Sequence, residues 1–466
     1  MFVLVHFPRR CRDYLRLKHL ILHLIVGAML SSSVLVGCAA QSAGNSSPTP
    51  IASLYLLLNA TATSAPIVVA LDSHNGRVAW QHTLETPNAV MTATFKPFLQ
   101  DGLVYVGGNS EVQATGTHQG VLEALDPSTG KTRWRHEAGV ELEGAPTVAN
   151  GVVYLGSSVL QEHAAVPSGQ IESLDSQNGS VRWQKALNDI PATPLLMNGH
   201  LFVMTNQLSG FEGHILALNT TDGSVIWDYA SDVPLSGGGE TDLGGPTPPV
   251  IVGQHIYVQA TERNVDGTAN LLLLAINIGN GSVAWQYATG GISTTPASDQ
   301  SGKTLCVSTF VQTGDAGTVV GLAATSGHVL WNIAVQGSAS PCVAEGTTFY
   351  FDERSADGAS GNALALNSQD GRQVWKNAIS APLDGYGLLP PILADGLVIP
   401  ILEEGHVVVL RAIDGKQLWQ HDIATTSQDV SGSQLYLSEN QQGQRLLAAY
   451  DLRTGARLWD YSIGHA

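Results

Sequence analysis

The sequence predicts an all-β protein, a β-propeller of four-stranded antiparallel blades. Three observations predict it. First, the stretch "ALDSHNGRVAW" (70–80) returns as "ALDPSTGKTRW" (124–134), "SLDSQNGSVRW" (173–183) and "ALNSQDGRQVW" (365–375). Second, Gly followed four residues later by Trp occurs nine times and uses all nine tryptophans. Third, charged residues make up only 13% of 466 residues while Gly numbers 50. Low charge with abundant Gly suits short strands and tight turns, whereas long amphipathic helices need more Glu, Lys and Arg.

The repeated hairpins are Gly76/Trp80, Gly130/Trp134, Gly179/Trp183, Gly223/Trp227, Gly281/Trp285, Gly327/Trp331, Gly371/Trp375, Gly415/Trp419 and Gly455/Trp459. A turn former (Asn, Asp, Ser or Thr) precedes every Gly, and Asp or Asn stands four residues before it in seven of nine copies. A short polar side chain there bonds the turn's own backbone N–H groups, and the Gly takes positive φ. These are turn residues; a calcium loop needs alternating carboxylates and a distal Glu, which they lack.

A second marker lies upstream: Pro followed five or six residues on by Gly, as in Pro97/Gly102, Pro146/Gly151, Pro194/Gly199, Pro248/Gly253 and Pro391/Gly396. A β-branched or aromatic run follows, such as "LVYVGG" (103–108) or "VVYLGS" (152–157). Each unit therefore reads as strands A to D. In the third unit these are "PTVAN", "VVYLGS", "QIESLD" and "SVRWQKA". Trp spacings of 40 to 58 residues match one four-stranded blade per unit. Each of Trp80, Trp134, Trp183, Trp227, Trp285, Trp331, Trp375, Trp419 and Trp459 is expected to dock one blade on the next.

The run Ala-Leu-Asp-x-x-Thr-Gly-Lys-x-x-Trp at 124–134 resembles the tryptophan-docking repeat of the pyrroloquinoline-quinone (PQQ) propeller family, and the resemblance covers residues 52–463. That family usually has eight blades. Nine hairpins are countable here, but the first unit ("SLYLLLN", "PIVVALD", "RVAWQHT") shows no clear strand A. That leaves nine blades with one incomplete, or eight with a terminal unit used otherwise; eight are expected.

The first residues form a separate object. "RRCRDYLRLK" (9–18) is basic, residues 19–37 are apolar, and "LVGC" (35–38) precedes a polar stretch. This is the order of an export signal. Its ending resembles the lipobox of bacterial lipoproteins, which implies cleavage before Cys38 and lipidation of that residue. The expected organisation is a signal peptide over 1–37, a tether over 38–50 and the propeller over 51–466. The expected address is extracytoplasmic, on the bacterial membrane through a lipid anchor. The alternative is an uncleaved anchor, for which the apolar run is only marginally long and is interrupted by His19 and His23. Cys306 and Cys342 could pair in an oxidising compartment, but spacing does not establish the proximity a disulfide needs, and buried free thiols are expected.

The net charge of −17 excludes nucleic acid, which requires a basic face. The A–B and C–D turns are uniformly tight and share one face of a meander. The B–C and D–A connections vary and share the other: "NSEVQATGTHQG" (109–120), "TERNVDGTAN" (261–270), "DERSADGASGN" (352–362) and "SDVPLSGGGETDLGG" (231–245). Uniform turns carry architecture and variable loops carry function, so binding is expected on the second face. Its charged candidates are Glu240, Asp242, Asp352, Glu353, Arg354, Asp384, Glu403 and Glu404.

The expected function is a non-enzymatic, monomeric envelope scaffold that binds other envelope proteins or a small ligand through this face, without catalytic residues, metal or cofactor. The alternative implied by the resemblance is a quinoprotein dehydrogenase holding PQQ and calcium. Many such enzymes carry adjacent paired cysteines and long capping insertions, and this chain has neither. A hydrolase is disfavoured, since HExxH, GxSxG and P-loop motifs do not occur.

Overall fold

In the computed structural model the chain is a ring of nine small antiparallel sheets. The structure describes residues 34–38, 53–58, 65–84 and 90–465 except 94, 113–116, 160–167, 207–212, 232–234, 237–248, 264–268, 291, 311–316, 336, 356–359, 381–388, 403–405 and 424. Blades 1 to 9 are numbered by the order of their tryptophans.

Strands B and C of each blade are buried on both faces, because each blade is sandwiched between two others. Strand C of blade 4, Gly213–Asn219, has four consecutive buried residues, Ile215 to Leu218. Strand D lies outermost and alternates: in Val329–Ala334 of blade 6, Trp331 is buried while its neighbours on either side are exposed. This explains the continuous apolar runs of B and C against the mixed composition of D. Strands A of successive blades approach one another, as Val343–Glu345 of blade 7 does with Ile392–Ala394 of blade 8, so they surround the axis.

The blade count is nine, which corrects the expectation of eight. The missing strand A of the first unit is Val34–Cys38, antiparallel to Ser53–Leu58, with Val34 opposite Leu58 and Cys38 opposite Leu54. It escapes the repeat pattern because 14 residues separate Cys38 from Ser53, in place of a two-residue turn. The same five residues straddle the expected cleavage point. The rest of the expected signal peptide and tether, 1–33 and 39–50, lies outside the described residues.

Nine apolar clusters fill the nine seams, each formed by two consecutive blades. Tyr55, Val68 and Trp80 of blade 1 pack with Val104, Val106 and Val121 of blade 2. Leu54, Leu56 and Val69 of blade 1 pack with Tyr436, Leu447 and Trp459 of blade 9.

The nine indoles sit one to a seam, and each N–H donates to a backbone carbonyl in the C–D turn of the following blade. Trp80 donates to Pro127 (2.8 Å), Trp134 to Ser176 (2.8 Å) and Trp183 to Thr220 (2.9 Å). Trp227 donates to Ile278 (2.9 Å), Trp285 to Ala324 (2.9 Å) and Trp331 to Ser368 (2.9 Å). Trp375 donates to Ala412 (2.7 Å), Trp419 to Leu452 (3.0 Å) and Trp459 to Ser73 (2.8 Å). The last of these returns to blade 1, so the ring closes on itself. The seams differ slightly in depth: Trp183 and Trp419 are half-buried, and the other seven are buried.

Each Trp also rests on the turn Gly of the next blade. A Cβ on Gly130 would lie 2.4 Å from Cε3 of Trp80, and Gly130 has φ +67°. The motif Gly is thus fixed twice, by left-handed backbone and by the neighbouring indole.

Among the described residues, six blades carry strand A in two pieces. In blade 3 these are Glu141–Leu142 and Thr147–Ala149, both paired with strand B, Val152–Val159. Pro146 stands just before the second piece, where a missing N–H interrupts the ladder.

Cys306 and Cys342 form a disulfide with Cα atoms 6.1 Å apart, correcting the expectation of free thiols. Cys306 lies in strand B of blade 6 (Thr304–Phe310), and Cys342 immediately precedes the second piece of strand A of blade 7. Separated by 36 residues in sequence, they meet at the same seam of the ring.

Candidate functional site: the variable-loop face

The chain's turns sort onto two faces as the repeat implies. Ser176 N–H of a C–D turn donates to the Gly151 carbonyl of the A–B turn in the same blade (3.1 Å), and Ala412 does so to Gly396 (2.9 Å). Within this turn face, Asp126 accepts from Ser128 and Thr129 and pairs with Arg133; the Ser128 hydroxyl first, then the other donors, holds its carboxyl well below the usual range despite some burial. The polar turn residues are consumed locally.

On the opposite face the strands run further into the variable connections than the sequence suggests. Strand B of blade 7 is Thr348–Arg354, and Arg354 still pairs with Gly361, so the connection is reduced to 355–360 and closed by Ser355 N–H donating to Ser360 O (2.9 Å). Blade 2 extends similarly, to Val112 and from Thr117. In blade 9 the B–C connection is a tight turn at Gln442–Gly443, an exception to the variable pattern.

The candidate charges fare differently. Glu240, Asp242, Asp384, Glu403 and Glu404 lie outside the described residues. Asp352, Glu353 and Arg354 are strand residues, which corrects their placement in a loop, and the first two are buried. Asp352 and Glu353 project to opposite sides of the strand, as period-2 geometry requires. Glu353 accepts from Lys376 Nζ (2.6 Å) and Asn362 (3.0 Å). Asp352 faces blade 8 and is 3% exposed, with no hydrogen-bond partner for either carboxyl oxygen. Burial pushes its carboxyl up to about 8, against the lowering effect of the nearby Ile401 backbone N–H.

The blade-docking residues Trp80, Trp134, Trp183, Trp227, Trp285, Trp331, Trp375, Trp419 and Trp459 take no part in this face. Their polar atoms are spent on turn-face carbonyls, and they line neither recess described below.

Two further polar seams join blades and are not among the sequence candidates. Glu123 on strand C of blade 2 accepts from His82 of blade 1 (2.9 Å), from Arg135 (2.7 Å) and from Thr132 (3.2 Å). Burial pushes its carboxyl up, but these donors outweigh burial and hold it below its usual value. His136 of blade 2 meets Glu172 of blade 3 in the same way at 3.0 Å. The signal is present in the sequence: Glu stands seven residues before the Gly in these two copies, where the other seven place apolar residues.

A cleft of about 200 Å³ lies between blades 3 and 4. Lys185, Asp189, Thr205, His214 and Asp228 line it, with His214 Nδ1 and Asp228 hydrogen-bonded at 2.8 Å. A second recess, about 290 Å³, lies beside the axis and is lined by Leu195, Leu196, Met197, Pro249 and Ile251. An anionic quinone with calcium needs convergent charged and hydrogen-bonding groups. This recess supplies none, and among the described residues no three His, Cys, Asp or Glu side chains are grouped to hold a metal.

The family model described as outer membrane protein assembly factor BamB matches residues 64–237, 167–341 and 315–466. The chain belongs to this family. Among curated relatives, it is 25% identical over 293 residues to tetrathionate hydrolase of Acidithiobacillus ferrooxidans, covering 58% of this chain and 48% of that one. It is 23% identical over 270 residues to outer membrane protein assembly factor BamB of Yersinia pestis, covering 54% of this chain and 62% of the relative. The matches thus span about half to three-fifths of the relatives' lengths. Among solved structures, BamB from Moraxella catarrhalis aligns over 77% of this chain and 91% of its own, with 17% identity and a TM-score of 0.44.

Proposed function

We propose that this protein is a non-enzymatic scaffold of the cell envelope that binds partner proteins through its variable-loop face. Membership of a family described by an outer-membrane assembly factor supports the envelope setting. The disulfide supports it too, since structural disulfides persist in oxidising compartments. The observation that carries the scaffold reading is the use of polar groups. Glu123, Glu172, Glu353 and Glu439 are buried and bonded to side chains that brace the blades, which leaves them unavailable to a substrate.

Anchoring is proposed through lipidation of Cys38 after export, as the basic, apolar and "LVGC" sequence implies. The partners are then other envelope proteins, met on the loop face of a monomeric ring.

The test is calorimetry of the purified protein with PQQ and calcium, together with dye reduction on common alcohols and sugars. For a scaffold, neither saturable binding nor turnover is expected. Saturable PQQ binding with turnover would overturn this reading and make the protein a quinoprotein dehydrogenase.

A further inference from the structure

The seam between blades 7 and 8 differs from the others in one buried group. Asp352 is 3% exposed, and its backbone is fixed on both sides: its N–H donates to Ser340 Oγ (2.9 Å) and its carbonyl accepts from Ser340 N–H (2.8 Å). The strand cannot turn the side chain outward without breaking these bonds. Yet neither carboxyl oxygen has a hydrogen-bond partner. The other buried carboxylates contrast with it: Glu123 and Glu172 meet histidines, Glu353 meets Lys376, Glu439 meets Tyr450 and Arg457, Asp299 meets Ser301 and Ser368, and Asp189 accepts from Thr205 through one of its two oxygens.

The surroundings of Asp352 are apolar but for the nearby Ile401 backbone N–H of blade 8. Its cross-strand partner is Ala363, and blade 8 presents Val398, Val408 and Leu402 to this face. Two nearby charged groups are engaged elsewhere. Glu353 lies on the opposite face with Lys376, and His406 of blade 8 pairs with Asp422 (3.1 Å). Arg354, two residues on, is half-buried at the loop-face rim. Strand A contributes only the Ser340 bonds. Asp384, Glu403 and Glu404 lie outside the described residues. An ionised carboxylate in such a place is costly, and the usual remedy is to keep the proton.

We propose that the seam between blades 7 and 8 is a pH-sensitive joint, tight while Asp352 is a neutral acid and loosened at its loop-face end when that carboxyl loses its proton. In the closed seam burial favours the protonated form, up to about pH 8. In an opened, hydrated seam the same group reverts to an ordinary aspartic acid and ionises near about pH 4. Opening therefore becomes easier as pH rises through that window, by up to about tenfold per pH unit for one proton released. The joint lies on the face proposed to bind partners, so acidification would stiffen that part of it.

Hydrogen exchange of the full protein, corrected for intrinsic rates, tests this at about pH 5 and pH 8, either end of the window. The opening constant for amides of 348–354 and 397–402 is expected to rise at least about tenfold between the two. The seam between blades 4 and 5 is expected to stay unchanged, and Asp352→Asn is expected to abolish the rise. Equal pH dependence in wild type and variant, or none in wild type, would overturn the proposal. If the variant does not fold, infrared titration of the wild type decides. A protonated carboxyl band persisting at about pH 6, well above the ordinary aspartate range, supports the joint. Full ionisation by that pH contradicts it.

Discussion

The indole N–H of Trp459 donates to the carbonyl of Ser73, 386 residues earlier in the chain, at 2.8 Å. The same ring lies over Gly76, where an added Cβ would sit 2.5 Å from Cε3. This contact joins the last blade to the first and uses the same geometry as the eight internal seams. Gly76→Ala meets both the indole and a φ of +70°. It is expected to lower the thermal midpoint, and Trp459→Ala to cost about 3–5 kcal/mol, as for other large-to-small core changes. Calorimetric unfolding of both variants checks this. A wild-type melting curve for either would show that the ring does not depend on this closure.

The disulfide Cys306–Cys342 staples blade 6 to blade 7. Closing a loop of this length is worth about 3–4 kcal/mol in the chain-entropy treatment. Reduction, or the double change Cys306→Ala with Cys342→Ala, is expected to lower the thermal midpoint without changing the far-ultraviolet dichroism. Thiol titration in denaturant gives the number of free cysteines before and after reduction. Two additional thiols should appear on reduction.

Glu123 and Asp352 are expected to move stability in opposite directions with pH. Glu123 is held below its usual value, so its contribution is present above about pH 4.5 and lost as pH falls through its folded value. Glu123→Gln should destabilise by roughly 1–3 kcal/mol near neutral pH, because a charged hydrogen-bond acceptor is lost beside His82 and Arg135. The difference from wild type should shrink at about pH 3.5, where an ordinary Glu is protonated. Urea midpoints at the two pH values measure it, and a difference that stays constant would remove the paired carboxylate from the list of stabilising contacts.

Cys38 is both the proposed lipidation site and the last residue of strand A of blade 1. Cleavage before it removes Val34–Gly37 and leaves the Ser53–Leu58 edge without that partner. Intact mass spectrometry of the membrane fraction is expected to show a lipidated chain beginning at Cys38, and Cys38→Ala to release or block it. A full-length, unlipidated chain would establish an uncleaved anchor with blade 1 complete.

The Trp and Gly repeat makes the blade legible in the sequence, because both residues serve a contact that recurs at every seam. The partners in that contact are not legible. Trp80 and Gly76 stand four residues apart, yet Trp80 packs on Gly130 and Gly76 on Trp459. Likewise Trp134 packs on Gly179, Trp183 on Gly223 and Trp227 on Gly281, one unit further along. The long connection before Ser53 obscures strand A of blade 1. The disulfide depends on ring geometry, which spacing does not encode. Asp352 and Glu353 resemble loop charges because a polar, Gly-rich run follows them, whereas pairing of Arg354 with Gly361 carries the strand through. The His82–Glu123 pair is invisible while each unit is read alone, since it joins two of them.

The most direct test of the scaffold claim is site-specific photocrosslinking in intact cells. A photoreactive residue is placed on the loop face at Glu111 or Ser355, and on the turn face at His74 or Gln369. Discrete crosslinks to envelope proteins are expected from the loop face and none from the turn face. Crosslinks from the turn face alone would contradict the claim and move the binding surface to the side built from the uniform turns.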